Sequence, residues 1–418
     1  MTITGSTSLP DSTDVLVAGG GPAGAFLACL LARRGFRVLL VEKQATLERT
    51  FRGDTVLGPS VVILKQLGFG PALEEHGYIP TERLVIQMEG RKVLDLDYRR
   101  FKCGETPIDI PQPALLDIVY RSSAQEPGFQ VVFGTTVTEL LEENGVVKGA
   151  VLRGKGGEKV PVRARLVIGA DGRFSRVRKA AGFEAKVTPM DRDVLWFRVP
   201  RPEGWAHRTD FFVERDRHVV VMPTFPDGLR IATNLPKKAL GAWRQAGLPS
   251  VKQIVAQLDP RLGPLMDKHV RSWDDTSFLE IFTAEVDQWA RDGLLLIGDA
   301  SHTVTPILGQ GINLALQDAV TLAPVLDTAL RRSSGDGTVP AATFADWIAK
   351  RRKHKAFVTR FQTRNEASMV ATTRLGTWLR RNRYLTMNMT PAKYVLAPKM
   401  MSEPFPIDPA DVRQVVPV

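Results

Sequence analysis

The 418-residue chain is 44% hydrophobic and 24% charged, ordinary globular values that exclude a small module and leave room for one large or two intimate domains. Only Cys29 and Cys103 occur, which excludes a disulfide framework and favours a reducing, cytoplasmic setting. The net charge of +11 admits anionic cofactors, substrates or membrane faces. No zinc spacing, recognition-helix pattern or RNA-binding aromatic motif accompanies it, so nucleic acid and a metal site are set aside. The opening MTITGSTSLPDST lacks a basic-then-apolar signal pattern. The longest apolar stretch, Val15 to Leu31, is broken by glycines and closed by Arg33 and Arg34, so it is not read as a membrane span.

Val15 to Ala18 reads as a short buried strand stopped by glycine. Gly19, Gly21 and Gly24 then fit G-x-G-x-x-G, the spacing of a tight turn that lets backbone approach a pyrophosphate. Ala25 to Arg34 is the expected helix, closed by Gly35, with its positive end facing phosphates. Arg37 to Val41 is the next strand, and Glu42 follows 18 residues after Gly24. Its carboxylate suits ribose hydroxyls and disfavours a 2′-phosphate. The cradle is therefore Gly19, Gly21, Pro22, Ala23 and Gly24, with Glu42 and Lys43 at the adenosine end. The ligand at this point is an adenine dinucleotide, FAD or NAD.

Leu166 to Ile168 is a second buried strand, running into Gly169, Ala170, Asp171 and Gly172. A helix beginning near Ser175 carries Arg176, Arg178 and Lys179, which could meet a phosphorylated cosubstrate. The segments DVLWFRVP and DFFVERDRHVVVMPTFPDGLRIATNLP have the β-branched and aromatic texture of antiparallel strands, with Asp227 and Gly228 as a hairpin signal. Trp196, Arg198, Phe211, Met222 and Thr224 are the substrate-pocket candidates, of which period-2 alternation would turn about half outward. His218 is a further polar group on these strands.

Leu294 to Ile297 is a third buried strand, followed by Gly298 and Asp299. An irregular loop, Thr303 to Gln310, precedes a long helix from Gly311 to Leu326. Asp299 is placed to hold a ribityl hydroxyl. The Gly311, Ile312 and Asn313 amides open the helix and would stabilise negative charge at the N1–C2=O edge of a reduced flavin. This element selects FAD over NAD. His302 is a conceivable base, or packs against this loop. From Lys350 to Arg383 there are eleven Lys/Arg and one acid, Glu366, giving a solvated basic face or a membrane-surface contact. Beyond Tyr384 the chain reads as an extended wrap.

The G-x-G-x-x-G turn, the GADG turn and GDASHTVTPILGQGIN together resemble the single-component (class A) FAD-dependent aromatic hydroxylases, the para-hydroxybenzoate hydroxylase and ubiquinone-biosynthesis hydroxylase type. The likeness spans Val15 to Leu326. FRGDTVLGPSVVILKQLG resembles their second flavin segment, matching Arg52, and DIPQPALLDIV the segment that touches the ribityl or pyrophosphate, matching Gln112. Pro306, Gly309, Gly311, Ile312 and Asn313 match the late flavin loop, with His302 and Pro306 as the residues nearest a catalytic role. Where many members have Pro-Pro and Gly-Gly, this chain has Thr305 with Pro306 and Leu308 with Gly309.

The resemblance implies an α/β fold, a dinucleotide-binding parallel sheet with an inserted antiparallel substrate sheet and a C-terminal helical segment. In chain order, 1–74 and 111–182 belong to the cofactor part, 75–110 and 183–285 to the substrate part, 286–340 to the cofactor part again, and 341–418 to the basic helices and tail. It further implies that NAD(P)H reduces FAD, with transient binding near Arg176 and Arg178. One oxygen atom of O2 would then pass, through a flavin C4a-hydroperoxide, to a hydrophobic aromatic, quinone-like, quinolone or polyketide substrate. The rivals are a halogenase or alkene reductase on the same scaffold, and a non-redox isomerase or cyclase. Halogenases carry W-x-W-x-I-P, whereas Leu195 to Pro200 holds one tryptophan.

Overall fold

The computed structural model describes residues 9–47, 53–333 and 337–401. The parallel core of its first sheet runs Leu294–Leu296, Lys159–Gly169, Ser12–Ala18, Val38–Glu42, Phe129–Phe133, with Ala290–Arg291 added antiparallel at one edge and Val146–Arg153 and Thr136–Glu143 antiparallel from Lys159–Gly169. Val38–Glu42 is buried along its whole length, as a parallel strand covered on both faces must be. The helix Pro22–Ala32 is apolar all round and every residue from Ala23 to Ala32 is buried. It lies between this sheet and the long helix Gln310–Arg332, which explains the lack of a polar face.

The second sheet has the order Thr276–Leu279, Arg192–Pro200, Gly228–Pro236, Arg217–Thr224, Arg208–Glu214, Arg83–Met88, Arg91–Asp97. Its pairs are antiparallel except Arg208–Glu214 with Arg83–Met88. The hairpin expected at Asp227 and Gly228 joins two of these strands. Leu195, Phe197, Val219, Val221, Leu229 and Ile231 form a core with the three helices between Leu240 and His269. The expected architecture, a parallel dinucleotide-type sheet plus an antiparallel sheet and C-terminal helices, is the one observed.

Register corrects one expectation about the pocket candidates. Trp196 is opposite Ala232, Ala232 opposite Val220, and Val220 opposite Phe211. Arg198 is opposite Arg230, and Arg230 opposite Met222, two residues before Thr224. Opposed residues share a face, so all five candidates lie on one face rather than half outward. It is the face that does not join the Leu195 core.

The C-terminal region departs from expectation twice. Between Tyr384 and Met401 the chain is not extended: Arg374–Met389 and Lys393–Met401 are helices, and the rest of the expected wrap lies outside the described residues. Pro391, part of the Pro-rich signal for extension, falls between the two helices, where its missing N–H breaks no helix. Nor is the basic run uniformly solvated. In the helix Ala345–Met369, Arg351 and Lys355 are buried, and Arg380 is buried on the next helix. Among the described residues no helix is long and apolar enough to cross a membrane.

Candidate functional site

Three loops meet at the carboxyl edge of the first sheet because its strands end in register: Ala18 beside Gly169, and Gly169 beside Leu296. Backbone bonds lace the edge, with Gly19 N–H donating to Val41, Ala170 N–H to Ala18 and Ile297 N–H to Gly169. Gly19 has φ +109, and a Cβ there would lie 2.4 Å from the Ala170 oxygen. A Cβ on Gly24 would lie 2.0 Å from the Gly19 oxygen. Gly20, outside the spacing pattern, is equally confined, by the Tyr120 hydroxyl and the Glu42 side chain. The helix starting at Pro22 has no side-chain cap, so its first amides and positive end are directed at whatever fills the turn. Buried Glu42 accepts from Gly20 N–H at 2.7 Å and Gln44 N–H at 2.9 Å, which fixes its carboxylate alongside the glycine turn. Lys43 beside it is exposed.

At the second loop the sequence reading needs revision. The Asp171 carboxylate faces the helix Arg176–Ala180, accepting from the Ser175 hydroxyl, Arg176 N–H at 2.6 Å and Val177 N–H at 3.1 Å. Arg178, expected to await a cosubstrate phosphate, is buried instead. It donates to the carbonyls of Ala300 and Arg173 at 3.1 Å each, tying the second loop to the third. Arg176 remains exposed. Arg52 lies outside the described residues. Gln112 is buried; its N–H donates to Asp54, while its side-chain Oε1 has no partner. An orphaned buried acceptor at the start of the helix Gln112–Ser123, whose Tyr120 hydroxyl donates to the Gly20 carbonyl of the glycine turn, fits an adenine dinucleotide with hydroxyl and amide donors.

The third loop is held from both sides. Gly298 N–H donates to Asp318 at 2.9 Å, and half-buried Asp299 follows on its short helical turn. Exposed Pro306 opens another short turn in which Leu308 (φ 60, ψ 19) and Gly309 (φ 61, ψ 30) are both left-handed. The strain at Leu308 is offset by packing against the apolar cluster that holds Val213, Met369 and Tyr384. Asn313 uses its side chain on the loop, accepting from Leu57 N–H and donating to the Gly309 carbonyl at 2.7 Å. Ile312 is buried, but Gly311 is exposed with open space where a Cβ would stand, so this helix tip is open to an approaching group. His302 is buried, engages Thr359 through Nε2 at 2.9 Å, and is pushed down to about 3 by burial and by Lys355. It packs the loop as a neutral ring.

Gln362, for which the sequence offered no signal, clamps this loop. Its Oε1 accepts from Thr305 N–H, and its Nε2 donates to the Thr305 carbonyl at 3.0 Å and the Ile307 carbonyl at 2.7 Å. Gln362→Leu should remove three hydrogen bonds, each worth about 0.5–1.5 kcal/mol. Amide exchange at Thr305 to Gln310 should accelerate tenfold or more while the glycine turn stays protected; equal protection would show that Gln362 does not hold the loop.

The candidate face of the second sheet adds a charged pair that sequence reasoning missed. Buried Arg230 meets Asp54 at 3.0 Å, and its guanidinium stacks 4.5 Å from the Trp196 ring centre. Thr224 also reaches Asp54, at 3.4 Å. Burial pushes the Asp54 carboxyl up, opposed by Arg230. Asp109 nearby accepts from Thr55 at 2.6 Å and from Thr81, and burial pushes it up to about 6. A readable signal for Arg230 existed: it is a charge at the same strand parity as the apolar Ala232.

Residues 12–343 match the FAD binding domain family. The 6-methylpretetramide 4-monooxygenase of Streptomyces rimosus is 37% identical over 386 residues, spanning 91% of this chain and 90% of that protein. Pseudomonas aeruginosa PqsL, solved in complex with 2-aminobenzoylacetate, has a TM-score of 0.77 at 23% identity, covering 91% of this chain and 100% of its own. The p-nitrophenol 4-monooxygenase PnpA of Pseudomonas putida has a TM-score of 0.78 at 17% identity, covering 94% and 100%. These two structures share the fold. The chain belongs to the FAD-dependent monooxygenases of the single-component aromatic hydroxylase family.

Proposed function

We propose that the chain is an NAD(P)H-dependent monooxygenase that places one oxygen atom of O2 into a hydrophobic, fused-ring aromatic of the polyketide class. The observation that carries this reading is the single sheet face holding Trp196, Phe211, Met222 and Thr224, with the Asp54–Arg230 pair at one end, and with Leu308 of the third loop packed against the same apolar cluster as Phe211. The relative named 6-methylpretetramide 4-monooxygenase supports a polyketide-like substrate.

Bound FAD would supply hydride acceptance and oxygen activation. The glycine turn, Glu42 and Gln112 would hold the dinucleotide, and the Gly311 and Ile312 amides would face the ring edge that turns anionic on reduction. Asp171 acts indirectly, by fixing the second loop. Arg230, fixed by Asp54 and Trp196, would present positive charge to an electron-rich ring oxygen of the substrate. The apolar residues between would exclude water from the reacting carbon.

The test is turnover of purified protein with NADH or NADPH, 18O2 and a panel of fused-ring phenols. Oxygen uptake should rise with substrate, and product mass should gain one 18O atom. Halide incorporation, or product formed without oxygen, would sink the reading.

A further inference from the structure

Glu366 is buried, only 5% exposed, and its Oε2 has no partner. It lies on the helix Ala345–Met369, four residues after Gln362, about 6 Å along the axis. One helix thus touches the flavin loop through Gln362 and presents a carboxylate one turn further on. The charged groups facing Glu366 are Asp191, Arg192 and Asp193 at the start of one central strand, and Lys237 just past the end of its partner. Arg192 shares parity with Trp196, so Glu366 stands at the end of the candidate face remote from Arg230.

Its neighbours are also under-satisfied or already committed. His218 stacks on Phe211 with ring centres 5.1 Å apart, and its Nδ1 is buried without a partner. The Nε atoms of Arg192 and Arg380 are likewise unpartnered. Lys237 is taken by Asp193 at 2.8 Å and the Ile281 carbonyl at 2.9 Å, and Arg192 by Asp216 at 2.6 Å. Burial and the Asp191 charge push the Glu366 carboxyl up to about 7, so it sits poorly without a donor. From Trp196 to Arg192 the strand covers four residues, about 13 Å, longer than one aromatic ring.

We propose that Glu366 is a specificity-determining residue: its free oxygen accepts a hydrogen bond from a phenolic or enolic hydroxyl at the far end of an extended fused-ring substrate lying along the strand from Trp196 towards Arg192. This deepens the function proposed above and rests on it. A single-ring phenol held at Arg230 falls short of Glu366, so the group selects for length as well as for a donor.

The test uses FAD-loaded protein and two probes, 2-hydroxyanthraquinone and 2-methoxyanthraquinone, with binding read from the perturbed flavin spectrum. The wild type should prefer the hydroxyl probe about tenfold or more, the range of a hydrogen bond to a charged group. Glu366→Leu should lose that preference by weakening only the hydroxyl probe, Glu366→Gln should restore part of it, and the melt should hold or rise because an unpaired buried carboxylate is gone. The same preference in all three proteins would overturn the assignment and leave Glu366 facing water only, with the monooxygenase reading intact. A flavin that responds to neither probe overturns the fused-ring reading and this proposal with it.

Discussion

Gly24→Ala protein should purify nearly colourless, its flavin affinity lowered at least 100-fold, about 2.7 kcal/mol. The added Cβ would lie 2.0 Å from the Gly19 oxygen and 3.1 Å from Val17 Cγ1, so the helix Pro22–Ala32 or the turn must move. Either movement re-aims the uncapped amides that the pyrophosphate needs. Gly35→Ala is the discriminating control. Gly35 has φ +83, but a Cβ there meets nothing within 4 Å. It should cost about 1–2 kcal/mol in stability and leave flavin content unchanged. The ratio of 450 nm to 280 nm absorbance, with FAD titration, separates the two. Equal colour in both variants would mean that close backbone approach at Gly24 is not what shapes the cradle.

What was legible in the chain was local. A buried strand, a glycine turn and a helix are written within some twenty residues, so the three loops at the sheet edge could be found from spacing alone. The substrate face was half legible: composition named Trp196, Phe211 and Met222, but only strand register put them on one side. The Asp54–Arg230 pair and the Gln362 clamp depend on distant elements meeting, which no local pattern encodes. Charge was misread for a related reason. Arg351 and Lys355 look like solvated cations, and Arg178 like a phosphate contact, because Asp318 and the Ala300 carbonyl that engage them lie far along the chain. Proline misled between Tyr384 and Met401, where Pro391 falls between two helices and Pro398 is carried inside the second.

Asp318 is the buried hinge of that misread charge, and its loss should be the most destabilising single change. It is 0% exposed and accepts from Arg351 at 2.7 Å, Lys355 at 2.6 Å and Gly298 N–H at 2.9 Å. Asp318→Ala leaves two buried cations and one loop amide unanswered, costing about 3–5 kcal/mol. The third flavin loop should loosen with it, because Gly298 loses its anchor. Burial pushes the Asp318 carboxyl up, but Lys355 and Arg351 outweigh this and hold it below the ordinary range. Its contribution is therefore complete above the unfolded value near ~3.9 and fades as pH falls through the folded one. His302 and His354 add an earlier loss. Burial and nearby cations push both down to about 3, so below ~6.5 the unfolded chain takes protons that the folded chain refuses. Stability should fall by up to about 1.4 kcal/mol per histidine per pH unit from there downward. Urea midpoints across pH 3 to 8 measure both effects. The gap between wild type and Asp318→Ala should be constant above about pH 5 and narrow below about pH 4. Lys355→Met introduced into Asp318→Ala should recover part of the loss, since it removes one of the stranded charges; a further loss instead would show that Lys355 is held by Ser301 and Gly298 rather than by Asp318.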